Sequence, residues 1–152
     1  MTRKQLKLDL HAHFSPIAAK FGIQTTEIAS DPAVAMSRVM AAKSGGLLVL
    51  SYEGQDRESD ESANGGMVAT RFAFWLSRGG ADLSAPGTSS GTTLDDICEE
   101  LEHEVQFYKV PNNAEMLCVE FAFYDSTRIV TATDGTPLAC YKIAFHIKQG
   151  LQ

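Results

Sequence analysis

The stretch "MVATRFAFWLSR", residues 67 to 78, constrains this chain most. Val68, Phe72, Phe74 and Leu76 fall on one side of an extended backbone, and Ala69, Arg71, Ala73 and Trp75 on the other. A period of two rich in aromatic residues specifies a β-strand with two unlike faces. The aromatic face must be covered, so the strand needs a sheet and a second layer. Other stretches ask for the same partner. "LLVLSYE", residues 47 to 53, has little alternation and predicts a strand buried on both faces. "AEMLCVEFAFYD" sets Leu117, Val119, Phe121 and Phe123 against Cys118, Glu120, Ala122 and Tyr124. In the last strand Tyr141, Ile143, Phe145 and Ile147 oppose Cys140, Lys142, Ala144, His146 and Lys148, and Asp134-Gly135 marks the turn before it.

Three helices are predicted between the strands. Leu6, Leu10, Phe14, Ile17, Ala18 and Phe21 recur at helical spacing, with a kink or restart expected at Ser15-Pro16 and a stop at Gly22. "IQTTEI", residues 23 to 28, reads as a short strand. Asp31-Pro32 opens a second helix to about Lys43, because aspartate caps and proline suits the first turn. Thr93 caps the third, whose apolar stripe is Leu94, Ile97, Cys98, Leu101, Val105 and Tyr108. Gly54 to Gly66 reads as a polar loop or arm, and Gly79 to Gly91 as a small-residue loop. The order is helix, strand, helix, strand, strand, helix, strand, strand. It predicts one α+β domain over residues 1 to 152, with a mostly antiparallel sheet of about four to five strands and helices on one face.

Composition narrows the function classes. At 152 residues the chain supports a real core. A net charge of -6 argues against binding a nucleic-acid backbone, which needs a basic face. Cys98, Cys118 and Cys140 form no paired motif and read as plain buried thiols of a reducing compartment. The N-terminus lacks the apolar run of a signal peptide, and no stretch approaches the ~20 apolar residues of a membrane helix, so no membrane partner is expected.

Two motifs invite an enzymatic reading. "KLDLHAHFSP" carries His11 and His13, and an amidohydrolase barrel begins in a similar way. Such a site needs about three protein ligands, on a scaffold of ~250 residues. His103 and His146 are the other histidines, and residues two apart on a helix do not face each other. "GTSSG", residues 87 to 91, matches a nucleophile elbow around Ser89, with His103 or His146 as base and Asp125 or Asp134 as orienter. The elbow needs a buried strand leading into the turn, and a loop precedes it here. The acids Asp56, Glu58, Asp60 and Glu61 lack the register of a calcium loop. The expectation is therefore no catalytic residue, no metal and no cofactor. A small metal- or serine-dependent hydrolase is the alternative from another class.

The order of elements, together with "LVLSYEG" at residues 48 to 54, resembles the Mu-type bacteriophage tail terminator, or tail completion, family. In that family an N-terminal helix, a short strand and an Asp-Pro helix lead to an apolar strand ending in Tyr-Glu-Gly. A polar arm, a strand, a central helix and a final pair of strands follow. The resemblance implies a structural virion protein that forms a hexameric ring on the tail tube. The ring ends tube polymerisation and offers the surface that joins tail to neck and head. Expected partners are further copies of the chain, the tube protein, a neck or connector protein, and a sheath protein where there is one. DNA passes only through the lumen, and acidic walls would keep its phosphates from sticking. The location implied is the virion, assembled in the host bacterial cytoplasm. Candidate contact residues are Asp56, Arg57, Glu58, Asp60, Glu61, Arg71, Trp75, Tyr124 and Lys142. Another neck or connector ring protein of similar plan is the nearest alternative.

Overall fold

A computed structural model describes residues 2–23, 25–41, 46–59, 66–79, 94–110, 118–122, 128–131 and 137–150. The elements run α1 (Arg3–Lys20), β1 (Thr25–Ala29), α2 (Pro32–Ala41), β2 (Leu47–Ser59), β3 (Gly66–Gly79), α3 (Leu94–Gln106), β4 (Cys118–Ala122), β5 (Arg128–Thr131) and β6 (Pro137–Gly150). Asp60, Glu61, Ser89, Thr93, Tyr124, Asp125 and Asp134-Gly135 lie outside the described residues.

Local chemistry sets the helix ends. The Thr2 hydroxyl accepts from the Gln5 amide at 3.1 Å and caps α1. At the other end Gly22 (φ 83°) donates to Ala19, and Ile23 donates to Ala18. This is the Schellman pattern, with buried Ile23 and Ala18 as its apolar contact. The helix is not interrupted at Ser15-Pro16, where a kink or restart was expected. Pro16 is exposed, and the Ser15 hydroxyl bonds back to the His11 carbonyl at 2.6 Å. Asp31 caps α2 through its carboxylate, which accepts from Val34 N at 2.9 Å.

The sheet order is β1-β2-β3-β6-β4, with β5 also on β6. β1 is parallel to β2, and every other pair is antiparallel. β4 pairs with Ala144–Lys148 and β5 with Pro137–Cys140, so the two share one edge position beside β6. The α+β plan and its mostly antiparallel sheet are those expected, with β5 as the added piece. β2 also runs on to Ser59 and β3 begins at Gly66, so residues 54 to 59 are strand where the sequence suggested loop. Backbone pairing holds that part of the hairpin and needs no apolar pattern.

The helices divide between the faces. α1 and α3 bury Leu6, Leu10, Phe14, Ile97, Leu101 and Val105 against Leu48, Leu50, Phe72, Phe74, Leu76, Ile143, Phe145 and Ile147. α2 packs on the opposite face, placing Ala35 and Val39 against Leu47, Val49, Ala73 and Trp75. The sequence suggested all helices on one face. The parallel β1–β2 pair requires a crossover, and α2 is that crossover.

Aromatic side chains tie α1 to the sheet. Phe14 meets Phe74 at 4.6 Å between ring centroids, Phe74 stacks on Phe145 at 5.4 Å, and Phe145 meets Phe72 at 5.9 Å. Tyr52 follows at 6.2 Å, under the Arg3 guanidinium at 4.3 Å. Phe14 is fully buried, so Phe14→Ala is expected to lower unfolding free energy by about 3–5 kcal/mol in denaturant titration. A loss under about 1 kcal/mol would contradict this packing.

Candidate functional site

β2 changes character at one residue. Tyr52 pairs with Phe72, yet Gly54 pairs with Arg71, so Glu53 is an extra residue in the strand. Alternation already sets Tyr52 toward α1 and Glu53 toward the opposite face; the β-bulge shifts every later pairing by one, so that Gly54 and not Glu53 stands opposite Arg71. Gly54 follows at φ 113°, a conformation that L side chains rarely adopt. The Arg71 guanidinium lies where a side chain would begin, Nη2 being 3.0 Å from that position.

A polar cluster grows from the bulge. Lys142 Nζ contacts the Glu53 carboxylate at 2.8 and 3.1 Å. The same ammonium stands 5.0 Å from the centre of the Trp75 ring. Trp75 Nε1 donates to the buried Ser51 hydroxyl at 3.0 Å. Trp75 and Lys142 are cross-strand partners, so one register places the aromatic face, the cation and the carboxylate together. The indole bond satisfies Trp75 Nε1, and Lys142 donates to Glu53 Oε2, while buried Oε1 has the cation at 2.8 Å as its ion-pair partner but no hydrogen bond among the described residues.

The candidate contact residues separate accordingly. Arg71 is exposed beside the bulge. Lys142 is half-buried and bound to Glu53. Trp75, expected on a contact surface, is 4% exposed, because α2 packs over its part of the face. Asp56, Arg57 and Glu58 lie on the extension of β2 toward the hairpin end. Ser51 and Glu53 were missed by sequence reasoning. The available signal was Gly54 directly after an apolar strand, since an isolated glycine in a strand marks a bulge.

The two N-terminal histidines go to different neighbours. Ser15 Oγ bonds the His11 carbonyl, which can only accept, so the serine hydrogen is used there. The 2.9 Å contact between Ser15 and Thr26 is then donated by the Thr26 hydroxyl. Thr26 Oγ1 in turn accepts from His11 Nε2 at 3.1 Å. The imidazole proton therefore sits on Nε2, and the closed ring of bonds clasps α1 to β1. His13 instead faces α3, 3.6 Å from Glu104 and 5.0 Å from the Tyr108 ring. Among the described residues, no group of three or more His, Cys, Asp or Glu is placed to hold a metal ion. His103 rests against exposed Phe107, and His146 lies opposite Arg71 on β6. Cys98 and Cys140 are buried thiols. Among the described residues no helix is long and apolar enough to cross a membrane. No protein-family model matches the chain, and no curated protein does.

Two outcomes test this site. Lys142→Met leaves the Glu53 carboxylate half-buried without its cation, and is expected to cost about 1–3 kcal/mol. Adding Glu53→Gln should recover part of that loss in a double-mutant cycle, whereas additive losses would show the pair to be uncoupled. The second outcome concerns Tyr108, whose phenol is pushed up to about 12, first by burial and then by the Asp9 carboxylate. The unfolded chain releases this proton near pH 10, so the stabilisation is intact below pH 10 and is lost as pH rises toward 12. Tyr108→Phe is expected to flatten the fall in stability between pH 10 and 12, and an unchanged fall would contradict the assignment.

Proposed function

We propose that the chain is a structural assembly protein of a phage tail, a terminator whose copies form a ring on the finished tube. The order α1-β1-α2-β2-β3-α3-β4/β5-β6 carries this reading, because it follows the family plan apart from the added β5 and the strand at residues 54 to 59. The Tyr-Glu-Gly piece forms the bulge from which the β2–β3 hairpin continues to Ser59 and Gly66. Residues 54 to 59, with β3 and then β6 behind them in the sheet, take the place of the polar arm and are a natural contact element for tube or neck.

The chemistry of these side chains supports a scaffold. The Glu53–Lys142–Trp75–Ser51 cluster consists of groups bonded to one another. His11 and Ser15 are likewise taken up in the clasp to Thr26. In the ring, carboxylates are expected to outnumber basic groups on the lumen wall, so that DNA slides without binding. Another neck or connector ring protein remains the nearest competing assignment.

Deleting the chain from the genome that encodes it provides the test. Tails of uncontrolled length that fail to join heads are expected, with normal length restored when the protein is supplied. Tails of normal length that join heads in its absence would refute the proposal.

A further inference from the structure

The two edges of the sheet differ in a way that suits them to each other. β1 forms one edge and β4 the other, and among the described residues neither has a second strand neighbour. α1 lies at the β1 side, where its His11 and Ser15 bond Thr26. Lys4, Leu8, His11 and Ser15 share one helix face by spacing, so Lys4 and Leu8 also lie toward that edge. Leu8 is 46% exposed, and Ile28 of β1 is 39% exposed. β1 runs back along α1 from Thr26, which brings Ile28 toward the turn that carries Leu8.

α3 stands at the opposite end, over β6 and β4. Its sequence, LDDICEELEHEVQ, has many carboxylates and neither lysine nor arginine. Glu104 is directed at His13 of α1. Glu99 and Glu102 fall on the other flank of the helix, the one away from α1. α1 has the reverse balance, with Arg3, Lys4, Lys7 and Lys20 against Asp9. One chain thus has a cationic helix at one sheet edge and an anionic helix at the other.

We propose that a second copy of this chain docks head to tail, its β4 edge against β1 and the Glu99/Glu102 flank of its α3 beside Lys4 of α1. Strand addition pairs the outer backbone groups of β1 and β4, which have no strand neighbour among the described residues, and Leu8 and Ile28 are covered in the contact. A contact between two different surfaces repeats and closes into a ring when the rotation fits. The proposal rests on the ring reading and names its subunit contact. Charge complementarity selects the second copy as occupant, since an apolar peptide would not need the Lys4 and Glu99 flanks.

Charge reversal tests the contact by sedimentation, with circular dichroism as control for folding. Wild type is expected to self-associate, and Lys4→Glu alone should weaken association about tenfold or more. Glu99→Lys with Glu102→Lys should do the same, while a mixture of the two variant proteins should assemble again by strict alternation. Indifference to both reversals, or failure of the mixture to recover, would overturn this contact. Rings seen under those conditions would leave the ring reading standing on another interface. A wild type that stays monomeric to millimolar concentration would also overturn the contact, and the tail-length test then decides the ring reading separately.

Discussion

The structure depends on the register of three long strands. β2, β3 and β6 pair so that Leu50, Phe74 and Ile143 lie abreast, followed by Tyr52, Phe72 and Phe145. A slip of one residue in β3 would send Phe72 and Phe74 to the opposite face and bring Arg71 and Trp75 under α1. The aromatic contacts from Phe14 through Phe74 and Phe145 to Phe72 hold only in the observed register. Each fully buried apolar side chain contributes about 1.5–3 kcal/mol, so the register carries much of the stability. The second face inherits its arrangement from the same alignment, which seats Lys142 over Trp75.

The bulge at Glu53 resets the alignment of β2 on β3. Up to Ser51 the strand is buried on both sides, under α1 on one face and α2 on the other. Beyond it Tyr52 still packs on the core, and the strand continues as the partner of β3, whose buried Val68, Ala69 and Thr70 pair on their other side with β6. Alternation keeps Tyr52 on the aromatic side and Glu53 against Lys142 on the other, and the inserted residue moves the pairing of Gly54 and all later residues by one along β3. Gly54 absorbs the backbone distortion and leaves space for Arg71. The junction between the doubly covered part of β2 and its extension along β3 is thereby held by specific chemistry.

Much of this was legible where a single residue type carries a single physical meaning. Gly22 ends α1 and Asp31 caps α2, as their chemistry predicts. The alternation in β3 and the stripe Ile97, Cys98, Leu101, Val105 and Tyr108 correctly identified buried positions. The errors fall where backbone pairing or topology decides. Residues 54 to 59 look like a loop because their side chains are polar, yet ladder hydrogen bonds to β3 hold them as strand. The side on which α2 packs follows from the parallel β1–β2 crossover, which composition does not reveal. Trp75 looked available for contact because alternation separates faces but does not say which helix covers each. The Glu53–Lys142 pair needed β3 between its strands, a three-strand register that periodicity cannot supply.

The central claim is that these side chains build a scaffold whose unlike edges join copy to copy. Electron microscopy of the assembled protein tests it most directly. The account predicts a closed ring in which the sheet runs on from one subunit into the next at the β1 edge. A ring whose subunits meet through their hairpins, with separate sheets and both edges open to solvent, would contradict it.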